Sequence, residues 1–209
     1  MAISTLSKIT VPLASGDSAA NQGLLMPKLQ YRFRVSLENF GTSTPTTELT
    51  KQVIDVARPN VSFDKMTIDI YNSRVYLAGK HTWAPITLNL REDVNNNVQK
   101  LVGEQLQKQF DFYEQSSAAS GLDYKFTTRI EILDGGNGAN TPNVLETFEL
   151  YGCYVESANY NQLAYSNGTD PVSINLSIQY DNAVQSPQGT GIGTAVGRTV
   201  NTLVTGGGA

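Results

Sequence analysis

Residues 172–181 read Val-Ser-Ile-Asn-Leu-Ser-Ile-Gln-Tyr-Asp, and apolar and polar residues alternate along them without a break. Side chains of a β-strand point to opposite faces in turn, so this period of two indicates a strand with one buried and one wet face. The same alternation recurs in residues 29–38 and 86–91. Further strands are predicted at residues 53–57, 124–133 and 144–155, which makes the chain mainly β.

A long hairpin is predicted between residues 61 and 78. Met66, Ile68 and Ile70 alternate with polar residues, Asn72-Ser73 makes a plausible turn, and the chain then runs back. The distal half is crowded with large apolar side chains, more than a two-stranded hairpin can bury by itself. It either caps its own sandwich or projects and docks on another copy. The apolar set is Met66, Ile68, Ile70, Tyr71, Val75, Tyr76 and Leu77.

Only one stretch has a helical period. Its apolar residues recur at steps of three and four, and Asp93 or Asn95 can cap its start. The packing stripe consists of Val98, Leu101, Val102, Leu106 and Phe110, and Tyr113 continues it. The predicted fold is an antiparallel β-sandwich or barrel of about seven or more strands with one flanking α-helix.

The chain divides by composition into three parts. Residues 1–27 and 182–209 carry very few charges and many small residues, whereas the strand and helix patterns fall within residues 28–181. Tails with so little apolar content cannot build a core of their own. We expect an N-terminal arm, a central β domain and a C-terminal arm rich in Gly and Thr, with both arms laid across neighbouring subunits.

Charge is scarce in this sequence. Charged residues make up 16% of the 209 positions, against about 25% in an ordinary domain, and the net charge is −4. Such a chain is expected to bury much of its surface against copies of itself, and it shows no basic footprint for gripping nucleic acid. No apolar run approaches the roughly 20 residues of a membrane span, so no membrane insertion is expected. Without a signal-peptide pattern, synthesis in the cytoplasm is the default.

The residues that could carry chemistry are few. The single histidine, His81, and the single cysteine, Cys153, are interpreted as structural residues rather than as catalytic ones. The neighbours Glu92 and Asp93 do not face each other across a cleft as glycosidase carboxylates must. The loop from Asp134 to Asn140 lacks the spacing of a calcium-binding EF-hand. We therefore expect no enzyme activity, no cofactor and no metal.

A specific order of motifs resembles one protein family. Val75-Tyr-Leu-Ala-Gly79-Lys-His-Thr-Trp83 leads into the alternating strand Ile86–Leu90, the acidic pair Glu92-Asp93 and the helix opening Val98-Gln-Lys-Leu-Val102. Together with the closing strand Val172–Tyr180, this order resembles the tail tube proteins of contractile-tailed bacteriophages of the T-even type. The resemblance covers residues 28–181.

The resemblance implies a fold and a function. Members of this family are related in fold to the tube protein of type VI secretion systems, and they form hexameric rings that stack into a tube. The tube conducts DNA into the host. The implied partners are further copies of the chain, the tail sheath, the tape-measure protein, baseplate and tail-terminator proteins, and DNA in transit. The implied location is the virion tail, assembled in the host cytoplasm.

Two sets of residues are assigned to this role. The hairpin is the candidate for inter-ring stacking, and polar residues on wet strand faces are candidates for the lumen, where a wall without positive charge would not hold phosphate. The lumen candidates are Thr67, Asp69, Ser173, Asn175, Ser177, Gln179 and Asp181.

Two alternative functions remain open. The nearer one is the tube of a type VI or other contractile injection system, which carries protein cargo. The more distant one is a carbohydrate-binding β-sandwich, which would present exposed aromatic residues in a cleft.

Overall fold

The structure is a computed structural model that describes residues 27–42, 46–135, 142–166 and 168–186. Residues 1–32 and residues 33–209 form separate units. Of the first unit, residues 27–32 are described, and there the Arg32 amide donates to the Leu29 carbonyl at 3.2 Å. The second unit holds every strand and helix named below. Most of the two predicted arms, residues 1–26 and 187–209, lies outside the described residues.

The second unit contains eleven strands and three helices among its described residues. In chain order they are β1 (Phe33–Glu38), α1 (Thr47–Gln52), β2 (Val53–Val56), β3 (Asn60–Ile70), β4 (Ser73–Ala84), β5 (Ile86–Arg91), α2 (Asn97–Gln109), β6 (Phe110–Asp111), β7 (Ser116–Ser117), α3 (Gly121–Tyr124), β8 (Phe126–Leu133), β9 (Val144–Asn159), β10 (Ser173–Gln179) and β11 (Asn182–Ser186).

Seven strands form one antiparallel sheet, in the order β1-β8-β9-β10-β5-β2 with β11 also paired to β9. The long strand β9 divides this sheet into two parts. Residues 144–153 pair with β8, and residues 154–159 pair with β10. We call β1, β8, the first part of β9 and β11 half-sheet A, and the second part of β9 with β10, β5 and β2 half-sheet B. The predicted fold class, mainly β and antiparallel with a flanking helix, is confirmed.

The alternation seen in the sequence builds the core. The even-numbered residues of β10 and β5 are fully buried, and they join buried residues of β1, β8, β9 and α2 in one apolar cluster. The odd-numbered residues of β10 point away from this cluster. Burying such side chains stabilises the fold by about 25 cal/mol for each Å² of apolar surface removed from water.

A glycine permits the bend between the two half-sheets. Gly152 has a φ of +67°, a backbone conformation that only glycine adopts easily. A Cβ placed there would lie 2.1 Å from Oδ2 of Asp181. The Asp181 amide donates to the Tyr151 carbonyl at 3.0 Å, and its carboxylate lies 2.5 Å from Nζ of Lys125. The position of the Asp181 side chain over Gly152 therefore depends on the missing side chain of that glycine.

Two glutamine side chains of α2 form hydrogen bonds with backbone N–H and C=O groups outside the helix. The Gln109 amide group donates to the Val155 carbonyl and accepts from the Val155 amide, both at 2.9 Å. One turn earlier, the fully buried Gln105 accepts from the Gly41 amide at 3.1 Å and donates to the Tyr124 carbonyl at 2.6 Å. Buried backbone groups without partners are costly, so these side chains hold the helix against the strands.

The predicted helix is present but ends earlier than its apolar stripe suggested. Asp93 caps its start, accepting from the Asn97 and Val98 amides at 2.8 and 3.3 Å. Val98, Leu101 and Val102 are buried, and Leu106 packs partly against the core. The helix stops at Gln109 because the backbone of Phe110 is extended, with a φ of −152°. Phe110 therefore begins β6, and Phe110 and Tyr113 are exposed rather than part of a packing stripe.

Several strand boundaries differ from the sequence prediction. The first strand begins at Phe33, since residues 29–32 form a turn. The strand predicted from residue 124 begins at 126, because Ser120 and Asp123 form a capping box that starts α3. β9 continues four residues beyond 155, and the returning strand of the hairpin continues to Ala84. The predicted C-terminal arm opens with β11, which pairs with β9.

We predict that Gln105→Leu lowers the free energy of unfolding by about 1–3 kcal/mol for each of the two backbone groups that it leaves without a partner. The matched control is Gln99→Leu on the exposed side of the same helix, which should change it by less than about 0.5 kcal/mol. Urea unfolding of the two variants measures the difference. Equal effects would mean that Gln105 does not hold the helix to the strands.

Candidate assembly surfaces

The hairpin of β3 and β4 has two chemically different sides near its tip. Ile68 pairs with Val75 and Met66 with Leu77, whereas Thr67 pairs with Tyr76. Cross-strand partners share a side, so the pairing defines an apolar side and a polar side. The apolar side consists of Met66, Ile68, Ile70, Val75 and Leu77. These five side chains are between 41% and 53% exposed, although each is aliphatic.

The predicted stacking residues therefore do not all lie together. Five of the seven make up the apolar side. Tyr76 lies on the polar side, where Nζ of Lys65 sits 4.7 Å from the centre of its ring. Tyr71 occupies the turn with a φ of +47° and is fully exposed. The polar side also holds an ion pair of 2.6 Å between Asp69 and Arg74.

A β-bulge separates the tip of the hairpin from its base. Phe63 pairs with His81 but Lys65 pairs with Ala78, so β4 has one extra residue opposite Asp64. A Cβ on Gly79 would lie 3.0 Å from the Asp64 carbonyl oxygen, which explains why a glycine occupies the bulge. We call residues 65–78 the tip, and residues 60–64 and 79–84 the base.

The polarity of the hairpin inverts between base and tip. Alternate residues of a strand share a side, so Val61 and Phe63 lie on the same side of β3 as Lys65. That side is apolar at the base and polar at the tip. Ser62 and Asp64, on the other side, are followed by Met66. The apolar side of the tip therefore lies on the side of the ribbon where the base is polar.

The inner end of the base packs against the protein's own core. Trp83 is 9% exposed, and its ring centre lies 5.5 Å from that of buried Tyr180. His81 packs against Trp83 at 5.9 Å, and Phe63 lies 6.4 Å from His81. These aromatic contacts fix the hairpin to the sandwich. Phe63 is itself 61% exposed, so the core covers the base only around Trp83 and leaves the outer part of the hairpin, including the tip, uncovered.

The outer face of half-sheet B consists mainly of neutral polar residues, and its charged residues are Asp55, Glu156 and Arg91. Asn175 pairs with Asn89 on one side and with Asn159 on the other, and Ser177 pairs with Thr87 and Ser157. The edge strand adds Asp55, whose carboxylate accepts from the Asn89 side chain at 2.8 Å. Ser177 donates to a carboxylate oxygen of Glu156 at 2.9 Å. We call this surface the uncharged face.

The predicted lumen candidates lie on three different surfaces. Ser173, Asn175, Ser177 and Gln179 lie on the outer side of β10, so they share the uncharged face. Thr67 and Asp69 lie on the polar side of the hairpin tip. Asp181 follows the last of these strand residues but is paired with Lys125 beside the bend. The hydrogen bond that the Lys125 ammonium group donates to the Asp181 carboxylate raises the pKa of Lys125.

The outer face of half-sheet A is charged instead. Arg34 pairs with Glu131 at 2.5 Å, and Arg129 lies 3.0 Å from Glu38 and 3.1 Å from Glu149. The Tyr151 hydroxyl donates to Glu149 at 2.5 Å, and this hydrogen bond raises the pKa of Tyr151. The two faces of the sheet thus present different chemistry, paired charges on half-sheet A and neutral polar groups on half-sheet B.

The residues that commonly bind metals or act as nucleophiles are not gathered into a site in the described part of the chain. The described residues contain no group of three His, Cys, Asp or Glu side chains that could hold a metal ion. Cys153 is buried and burial raises the pKa of its thiol, which disfavours the reactive thiolate. Among the helices described here, none is long and apolar enough to span a membrane.

Comparisons with known proteins identify the fold. The sequence matches no family model, and a search of curated proteins finds no match. Among solved structures, the chain is similar to a sheath/tube terminator chain of the PVC extracellular contractile injection system, with a TM-score of 0.57 and 15% identity over 78% of this chain and 99% of that one.

Two further structures have the same architecture. The tube-terminating cap of the anti-feeding prophage has a TM-score of 0.56 at 15% identity, covering 78% of this chain and 93% of that one. A chain of the PVC sheath–tube complex has a TM-score of 0.53 at 16% identity, covering 76% and 90%. The protein therefore has the tube-like fold of contractile injection systems, which confirms the predicted resemblance at the level of the fold.

We predict that the hairpin tip contributes little to the stability of the subunit and that its base contributes much. Ile68→Asp should lower the free energy of unfolding by only about 1 kcal/mol, because the side chain is 41% exposed and the change removes strand propensity and one cross-strand contact. Trp83→Ala should lower it by about 3–5 kcal/mol, because it empties a packed aromatic site. Chemical denaturation followed by circular dichroism measures both. A large loss with Ile68→Asp would mean that the tip packs on its own subunit.

Proposed function

We propose that this protein is a structural subunit of a tube, with no catalytic role, and that it acts by closing into rings that stack along an axis. The observation that carries this proposal is the hairpin tip, whose five apolar side chains share one side and are between 41% and 53% exposed. A surface of five adjacent exposed aliphatic side chains is typical of a protein–protein contact. The tube-like fold supports the same role.

Ring closure would use the free edges of the sheet. In the described part of the chain, β1 pairs only with β8 and β2 pairs only with β5, so each leaves one ladder edge available. Exposed strand edges invite pairing with another chain, and a closed ring removes them. A hexamer is the ring size that the sequence resemblance implies.

The chemistry of the outer faces of half-sheets A and B suggests which of them lines the tube. Cargo that moves through a tube must not bind to its wall. The uncharged face of half-sheet B carries Ser, Thr and Asn side chains and no cluster of basic groups, so it offers no binding site for phosphate. We assign this face to the lumen and the ion-paired face of half-sheet A to the exterior, where a sheath would lie.

The finer identity is a phage tail tube that conducts DNA, as the sequence resemblance implies. Its partners would be the sheath, the tape-measure protein, and baseplate and tail-terminator proteins, and its location would be the virion tail. The structural likenesses favour a second candidate, the tube of a contractile injection system that carries protein, because the similar structures belong to such particles. Neighbouring genes for a capsid or for a secretion cluster would separate the two.

Electron microscopy of the purified protein tests the general proposal. We expect rings or tubes of constant width at high protein concentration, and dispersed monomers would contradict the proposal. Val75→Asp should leave rings but prevent long tubes, since it puts a charge on the apolar side of the tip. The matched control is Tyr113→Asp, because Tyr113 is an aromatic residue, 94% exposed, outside the hairpin. Control tubes should have the parental length.

A charge placed on the uncharged face should make the tube retain DNA. We predict that tubes of the double variant Asn175→Lys, Ser177→Lys bind short duplex DNA in a form protected from nuclease, with an affinity that falls as salt rises. The control places two lysines on half-sheet A, Ser36→Lys with Thr147→Lys, and its bound DNA should be digested. Protected DNA in the control alone would assign the lumen to half-sheet A.

A further inference from the structure

One side of β9 loses its partner strand at the bend. β9 lies between β8 and β10 in the sheet, and β8 pairs with it only as far as Cys153, opposite Phe126. Beyond that residue, β10 continues to pair with β9 from the other side. In the described part of the chain, β9 therefore has an unpaired edge from residue 154 to residue 159. An unpaired edge presents backbone N–H and C=O groups to which a strand of another chain can bind.

The register of half-sheet B shows which backbone groups of β9 point to this edge. In antiparallel strands, the N–H and C=O groups of one residue point to one neighbouring strand, and those of the next residue point to the other. The Thr87 carbonyl of β5 accepts from the Ala57 amide at 2.9 Å, which fixes this alternation across β5, β10 and β9. The backbone groups of Ser157 therefore point to β10, and those of Ala158 point to the unpaired edge.

Gln109 occupies the other position of this edge. Its side chain accepts from the Val155 amide and donates to the Val155 carbonyl, both at 2.9 Å, on the side where β8 has ended. The amide of Gln109 thus takes the place of the next residue of a neighbouring strand. Within residues 154–159, this leaves the backbone groups of Ala158 open. Even a two-stranded hairpin is only marginally stable in water, so this single open position would hold another strand weakly.

A second amide side chain occupies the edge of β11. Among the described residues, β11 pairs with β9 and with no other strand. The Tyr151 carbonyl accepts from the chain that leads into β11 at 3.0 Å, so Glu149, two residues earlier, also points to β11. Val184 lies opposite Glu149 and points back to β9, so the neighbouring Ala183 points to the unpaired side. There the Ala183 amide donates to the side-chain oxygen of Asn182 at 3.0 Å.

We propose that Gln109 and Asn182 are edge caps, side chains that keep the unpaired edges of β9 and β11 from binding strands of other chains. Both edges arise where the chain passes between the two half-sheets, and each cap binds the first backbone groups that point outward there. Open edges promote aggregation, and natural sheets protect them by several devices. The caps confine strand pairing between copies to other edges, such as those of β1 and β2. A lone subunit needs the same protection, so the inference does not depend on tube formation.

Aggregation of Gln109→Leu, compared with that of Gln105→Leu, tests the cap on β9. Each change removes an amide of α2 that binds two backbone groups, but the partners of Gln105, Gly41 and Tyr124, lie outside the β9 edge. The variants are compared at urea concentrations that unfold equal fractions of each, so that a general loss of stability cancels. We expect Gln109→Leu to form irregular aggregates that bind thioflavin T about tenfold faster, because its reopened position offers two backbone hydrogen bonds.

A proline at the remaining open position separates edge pairing from unfolding. The Ala158 amide points to the edge and takes no part in the ladder with β10, so Ala158→Pro removes a donor without breaking the sheet. Added to Gln109→Leu, it should return aggregation to the rate of Gln105→Leu. Equal rates for the two glutamine variants, or a lack of rescue by the proline, would overturn the cap on β9.

The cap on β11 has a separate test. Asn182→Ala should speed the formation of thioflavin T-binding aggregates, whereas Asn175→Ala, which removes the same side chain from a strand paired on both sides, should not. Equal rates for these two variants would overturn the cap on β11. A parental protein that forms no rings or tubes would contradict the proposed tube function, but the comparisons between variants would keep their meaning.

Discussion

The fold depends on the hydrogen bonds of β9 at the point where this strand passes from one half-sheet to the other. There its backbone stops pairing with β8 and begins to pair with β10. Val155 lies just past the bend, and the Gln109 side chain binds both its amide and its carbonyl at 2.9 Å. An amide side chain carries one donor group and one acceptor, so it replaces a neighbouring strand at this point. Gly152 permits the approach of Asp181, and Gln109 satisfies the backbone beyond it.

Helix α2 is joined to the sheet by hydrogen bonds as well as by apolar packing. Val98, Leu101 and Val102 bury apolar surface, but apolar packing alone leaves a helix free to slide. Gln105 and Gln109 fix its position, because each bonds to backbone groups at two ends of its amide. Gln105 also ties α2 to Gly41 and Tyr124, which flank β1 and β8. The hydrogen bonds of Gln105 and Gln109 therefore connect helix α2 both to the bend in β9 and to the segments that flank β1 and β8.

The sequence predicted the regular parts of this fold because periodicity reports burial. The alternation in β10 and β5 and the apolar stripe of α2 follow directly from one-sided burial. The sequence did not predict that the side chains of Gln105 and Gln109 bind backbone groups, since glutamine is usually a surface residue. Their spacing from Leu101 and Val102 placed them beside the apolar stripe, which was the available signal. Phe110 was assigned to the helix because the sequence alone does not show where the backbone becomes extended.

The candidate surfaces were predictable in composition but not in arrangement. The crowding of apolar residues in the hairpin was visible in the sequence. Their division into sides depends on the pairing register, and Tyr76 falls on the polar side because it pairs with Thr67. Likewise, Asp181 continues the alternation of β10 in the sequence, yet the bend turns it towards Lys125. Long-range pairing decided both cases, and no local pattern encodes it.

The few charged residues of the sheet are unevenly distributed between the two half-sheets. On half-sheet A, Arg34, Arg129 and their carboxylate partners form exposed ion pairs, each worth about 0–1 kcal/mol. On half-sheet B, cross-strand neighbours such as Asn89 and Asn175 are neutral. That face still carries Asp55, Glu156 and Arg91, so the two faces differ in how many of their groups are charged. The difference makes sense if the two faces meet different surroundings.

The inversion of polarity along the hairpin restricts the assemblies that this chain can form. Alternation alone places Met66 and Ile68 of β3 on the side opposite to Val61, and the bulge at Asp64 brings Val75 and Leu77 of β4 onto the same side as Met66 and Ile68. The apolar side chains of the tip therefore share one side, whereas Trp83 holds the inner end of the base in its own subunit. The exposed apolar side of the tip belongs to no core of the described residues, and association with further copies would remove it from water, which favours an assembly over a lone subunit.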